Sequence, residues 1–203
     1  MLEIPLPADA RPASEPSMDR RRHPRQAVIK SAAVHPVMDE TAFPIGNISH
    51  LGVMGRSALP LNLRQRVHFT FNGHQFLTAE VRWANGDEYG LLLDDPLFCM
   101  PGTEPAPMNE RDGEQPRSQR IPVNLQATLL ITAPVLPARV RNISPGGMLL
   151  EQTGRLREGE RLLVKLRKLP AFLGRVQWAQ NDLAGFCFTH DIDSDTLQST
   201  RCG

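Results

Sequence analysis

The sequence is poor in the residues that disulfide scaffolds, membrane spans and most enzymes depend on. Its three cysteines, Cys99, Cys187 and Cys202, are odd in number and show neither a close pair nor a metal-ligand spacing. That argues against a disulfide framework and suits a reducing cytoplasm. No stretch approaches the ~18 apolar residues of a membrane span. Met1 to Pro16 carries Glu3 and Asp9 but no basic region and no apolar core, so neither a signal peptide nor an anchor is expected. The formal net charge is only +1, too little for a general nucleic-acid binder, which needs a cationic surplus. Aromatic residues make up 5% of the chain, and the one tyrosine is Tyr89. Phe69, Phe71 and Trp83 share a parity that should face inward, leaving no stacking platform for RNA. The six histidines form no HxH or HExxH pattern, and Ser49 and Ser144 lack the GxSxG elbow. Neither a metal site nor a catalytic set is visible, and a non-enzymatic protein is expected. Helical periodicity is absent too.

What the chain does have is a repeat. Asn47-Ile48-Ser49-His50-Leu51-Gly52 returns as Asn142-Ile143-Ser144-Pro145-Gly146-Gly147, 95 residues later. The same offset pairs Arg22 with Arg117, Arg25 with Arg120, Val28 with Val123, Trp83 with Trp178 and Gly90 with Gly185, without a gap. A unit of this length lies near the lower limit for an autonomous core, so each copy should lean on its neighbour or on a partner.

Strand signals fill both copies. In the first they run from Gln26 to His35, Phe43 to Ile48 and Gly52 to Arg56, then Val67 to Phe71, Leu77 to Trp83 and Glu88 to Leu93. Asn72-Gly73 and Asn85-Gly86 supply hairpin turns. The second copy repeats the plan over Ile121 to Thr132, Pro137 to Ile143, Gly147 to Gln152, Arg161 to Arg167, Phe172 to Trp178 and Ala184 to Thr189. Val81 and Trp83, like Val176 and Trp178, fall on the inward parity. Six short strands must nearly close on themselves to cover their edges, which predicts an all-β fold of two small six-stranded antiparallel barrels in tandem. The expected boundaries are a disordered tail at 1–19, a first barrel at 20–95, a proline-rich linker at 96–115 and a second barrel at 116–192. The end, 193–203, reads as a tail or short helix.

Two features suit anion recognition. Arg20, Arg21, Arg22 and Arg25 cluster at the entry to the first strand, with Arg21 and Arg25 four apart. A guanidinium can grip phosphate oxygens in pairs, pair with guanine O6 and N7, or stack on a base. Asn47 and Ser49 offer an amide and a hydroxyl at a strand end, and Gly52 allows close backbone approach. The plainer reading makes the turn an Asx-type cap and the arginines a solubilising patch.

Arg21-x-x-x-Arg25 followed by Asn47-x-Ser49-x-x-Gly52 resembles the two-part signature of the PilZ domain, a small bacterial barrel that acts as a receptor for cyclic di-GMP. Val81-x-Trp83 and Tyr89-Gly90-Leu91 resemble that family's closing strands. The resemblance covers about residues 20 to 95 and again 116 to 190. It implies that Arg21 and Arg25 fold over the dinucleotide, that Asn47 and Ser49 read the guanine edge, and that Gly52 shapes the turn. Arg20, just before the motif, would go with an intercalated ligand pair. In the second copy Arg117, Arg120, Asn142, Ser144 and Gly147 form a possible second site. There Pro116 replaces the first motif arginine, so this copy is expected to bind more weakly. The resemblance thus implies a cytoplasmic cyclic di-GMP receptor without cofactor or metal, signalling through a protein partner, with no nucleic-acid partner and no membrane insertion. The alternative is a ligand-free adaptor of the same fold.

Overall fold

The computed structural model describes residues 26–97, 120–151, 156–167 and 169–193. The expected tail at 1–19, nearly all of the linker and most of the C-terminal segment lie outside them.

Among the described residues the chain is all β, in eleven antiparallel strands. The first departs furthest from expectation. β1 (Gln26–Ser49) is a single strand of 24 residues, where two separate strands were expected. β2 (Gly52–Arg56), β3 (Arg66–Thr70), β4 (Leu77–Asn85) and β5 (Glu88–Leu93) complete the first repeat. β6 (Ile121–Thr132), β7 (Leu136–Ser144), β8 (Gly147–Glu151), β9 (Arg161–Leu166), β10 (Ala171–Gln180) and β11 (Leu183–Phe188) form the second.

These strands do not make two separate tandem barrels. They form one continuous sheet in the order β2-β5-β4-β3-β6-β1-β7-β8-β11-β10-β9, with further pairings of β1 to β2 and of β1 to β9. The separate six-stranded units and the tandem-barrel description are therefore replaced by a single sheet whose two flanks share β1. The cause lies in the stretch that was expected to divide the first two strands. Pro36 to Ala42 contains no glycine or asparagine to reverse the chain, so the backbone runs on extended. In the second repeat the matching position, Ala133-Pro134-Val135, interrupts the strand, yet β7 still continues in the direction of β6 along β1.

Residues 121–144 therefore run antiparallel to residues 26–49 over their whole length. Ile48 faces Ile121 and Phe43 faces Ala127, then Val34 faces Leu136 and Gln26 faces Ile143. Each repeat has given its first strand to the other. β6, from the second repeat, pairs with β3 of the first through Phe69↔Leu129. The N-terminal half of β1 pairs with β9 of the second through Val34↔Val164. Two like repeats can make this exchange at little cost in contacts, because the incoming strand carries the same inward pattern as the one it replaces.

The cores are exchanged with the strands. One cluster combines Phe43, Ile45, Val53, Val67, Phe69 and Val81 with Ala127 and Leu129 of β6. The other combines Val140, Leu150, Leu162, Val164 and Phe186 with Ala32 and Val34 of β1. A small apolar cluster, Phe76, Leu130, Leu163 and Ala171, lies between the two. Beside it His35 and His68 meet edge to face, with ring centroids 4.7 Å apart. Outside the core, Arg161 of the second repeat bonds Glu40 of the first at 2.6 Å.

The parity of the aromatic residues also needs correction. Trp83 and Trp178 are 37% and 39% exposed, and Phe71 is 36% exposed. For the tryptophans the reason is local: the β4–β5 register slips between Val81 and Trp83, and the β10–β11 register slips between Val176 and Trp178. A one-residue slip ends the strict alternation that placed valine and tryptophan on one face.

Candidate functional site

Both Asn-x-Ser-x-x-Gly turns form alike. Ser49 pairs with Gly52 and Ser144 with Gly147 in the strand register, and each serine hydroxyl donates to its glycine carbonyl at 3.2 Å. The hydroxyl thus closes the tight connection between two strands. In each repeat the register slips just before the asparagine, between Ile45 and Asn47 and between Val140 and Asn142. The glycine that ends the motif is needed for close approach of the neighbouring strand. A Cβ on Gly147 would lie 2.2 Å from the Phe186 carbonyl oxygen, and one on Gly52 would lie 3.1 Å from that of Leu91.

The first turn opens onto a cleft of about 340 Å³, within the ~300–1,000 Å³ typical of small-molecule sites. Asn47, Ser49 and Gly52 line one side, Arg82, Trp83 and Gly90 another, and Arg120 reaches in from the second repeat. The register explains this last position: Ile121 faces Ile48, so Arg120 precedes β6 at the level of the turn. No carboxylate is among the described lining residues, although Glu80 holds Arg82 at 3.3 Å. Two guanidinium groups, an amide, a hydroxyl and an indole make this an anion-accepting cleft with a surface for a flat ring.

The indole sits against the glycine seven residues downstream. A Cβ on Gly90 would fall 1.9 Å from Trp83 Nε1, and one on Gly185 would fall 2.2 Å from Trp178 Nε1. Only a residue without a side chain lets the ring lie so close to the strand.

A related cleft of about 190 Å³ lies at the second turn, lined by Ser144, Gly147, Gln177, Trp178 and Gly185 among others. Gln177 stands there in place of Arg82, so this cleft lacks one of the cations of the first.

Of the residues expected at the sites, Arg20, Arg21, Arg25 and Arg117 lie outside the described residues. Asn47, Ser49 and Gly52 come together, as do Ser144 and Gly147, with Asn142 one register pair from Ile143 in the same hairpin. Arg120 stands with Asn47, Ser49 and Gly52, not with the turn of its own repeat. Sequence reasoning missed Arg82 and Trp83 as cleft residues. The usable signal was Trp83 with Gly90 and Trp178 with Gly185, the same pair at the same spacing in both copies.

Among the described residues no group of three or more histidine, cysteine, aspartate or glutamate side chains could hold a metal ion. No helix among the described residues is long and apolar enough to cross a membrane.

The PilZ domain family model matches residues 114–202. No curated protein and no solved structure matches the chain. One PilZ-family domain, not the two that the resemblance implied, is thus present over part of the chain, taking in β6 to β11; the copy at 20–95, which carries the complete two-part motif, lies outside the match. A domain of that family over residues 114–202 is consistent with a non-catalytic receptor. The matched segment includes β6, the strand that has crossed into the flank of the first repeat.

Proposed function

We propose that the protein is a non-enzymatic cyclic di-GMP receptor that acts in the bacterial cytoplasm and passes its signal on by contact with a protein partner. The ligand is held by the Asn47, Ser49 and Gly52 turn together with motif arginines from the set Arg20, Arg21, Arg25, Arg117 and Arg120. Asn142, Ser144 and Gly147 offer a second, weaker turn. The observation that carries this reading is the cleft at the first turn, where Arg82, Arg120 and the Trp83 indole converge on Asn47 and Ser49. Phosphates would lie against the guanidinium groups, and a purine would stack on the exposed indole and present its edge to the amide. Ligand bound across both repeats would alter how strands from the two halves meet, which gives a partner something to read.

Calorimetric titration of the full chain with cyclic di-GMP tests the proposal. Binding that weakens as salt rises is expected from charge-assisted contacts. A folded protein that shows neither heat nor a ligand-dependent thermal shift rejects the receptor and leaves the ligand-free adaptor.

A further inference from the structure

The structure assigns the ligand-contacting arginine of the first turn to the second repeat. We infer that Arg120 completes the site at Asn47, Ser49 and Gly52, so this site is composite and requires both repeats. The inference rests on the receptor reading above and pairs one arginine, Arg120, with the first turn.

The argument begins with distance along the chain. Gln26 and Asn47 are 21 residues apart on the uninterrupted strand β1, which at ~3.3 Å per residue is about 70 Å of contour. The end of β1 at Gln26 pairs with Ile143, beside the Ser144–Gly147 turn and away from Asn47. An arginine side chain spans only about 7 Å, two residues' worth of extended chain. The start of β1 at Gln26 therefore lies at the second turn, many such lengths of strand from Asn47.

Arg120 meets the opposite conditions. It precedes Ile121, which faces Ile48, and it lines the cleft together with Asn47 and Ser49. The backbone that carries it is fixed by ten register pairs between β6 and β1 and by four with β3. Its guanidinium can meet an anion held over the turn while Arg82 meets it from β4. A phosphate-bearing nucleotide with an unsaturated base suits that combination of two cations, an amide and a stacking ring.

The test is a double-mutant cycle on the full chain, titrated with cyclic di-GMP, with the fold of each variant checked by its melting curve. R120A should weaken binding by about 10- to 150-fold, the range for a hydrogen bond to a charged group. Because Arg120 and Asn47 share one ligand, the R120A/N47A loss should fall well short of the product of the single losses. R25A, at a residue bonded to the far end of β1, should combine multiplicatively with N47A. R120A binding like the parent, or R25A coupling to N47A, overturns the composite site while leaving the receptor reading intact. Failure of the folded parent to bind rejects the receptor reading itself. A ligand-independent measurement separates that case from a misplaced arginine. In a C99S/C187S/C202S background, S49C and R120C together should form an intramolecular disulfide on mild oxidation. No crosslink in a folded chain overturns the placement of Arg120.

Discussion

His68 is the residue whose behaviour the fold fixes most tightly. It is 1% exposed, its Nδ1 lies 3.1 Å from the Thr78 hydroxyl, and its Nε2 has no hydrogen-bond partner. Burial first, then the nearby His35, Lys165 and Arg66, push its pKa from 6.5 down to about 3. His35 is lowered as well, first by its own burial. Both are bases held neutral in the fold, so between the folded and unfolded values the unfolded chain binds more protons. Stability is then complete above pH 6.5 and is lost as pH falls through the window toward 3. Urea melts of the parent and of His68→Leu should diverge across that window, the parent losing more, by on the order of 3–5 kcal/mol in all. Parallel losses in the two proteins would mean that His68 takes up its proton without unfolding. In the sequence this histidine sat on the outward parity between Val67 and Phe69. It is buried because its face of β3, beside Leu130 of β6 and Thr78 of β4, meets His35 of β1 next to the small cluster between the two cores.

At the scale of the strand, the bulges decide which residues are structural and which serve the cleft. Most strand positions could be read from alternation and from the Asn-Gly turns: β2, β5 and β6 match their expected spans, β4, β8 and β9 differ by one or two residues at one end, and β3 by one at each end. Alternation cannot show a register slip, because the slip depends on the partner strand. It is the slip after Val81 that takes Trp83 out of the core while leaving Val81 fully buried. Trp83→Ala should therefore cost about 1–2 kcal/mol of stability, below the ~3–5 kcal/mol of a buried aromatic. Its larger effect should be on cyclic di-GMP affinity, through loss of the stacking surface. A urea midpoint shifted as far as that of a core deletion, with affinity unchanged, would return the ring to a purely structural role.

The whole molecule turns on a choice that neither repeat makes alone. Each copy carries the residues for its own first strand, and the sequence pattern is equally satisfied whether that strand stays or is exchanged. Val34 and Leu129 occupy matching positions and are both fully buried, one in each core. Phe69 and Val164 are matching positions as well, which is why the repeat was legible in the sequence and the exchange was not. The same ambiguity grouped Arg120 with the turn of its own repeat, although its strand lies along the other. What tips the choice is the stretch from Pro36 to Ala42, which has no glycine or asparagine to reverse the chain and leaves β1 unbroken. The exchange also makes the first repeat depend on β6, because its cluster around Phe69 and Val81 is filled by Ala127 and Leu129.

Nuclear Overhauser contacts from the methyl groups of Val34 in the full-length protein give the most direct test of this arrangement. The exchanged sheet puts Val34 opposite Val164 and Leu129 opposite Phe69, so cross-peaks should join Val34 to Val164 and Leu129 to the Phe69 ring. Cross-peaks joining Val34 to the Phe69 ring and Leu129 to Val164 would mean that each repeat keeps its own first strand, and would contradict the shared sheet.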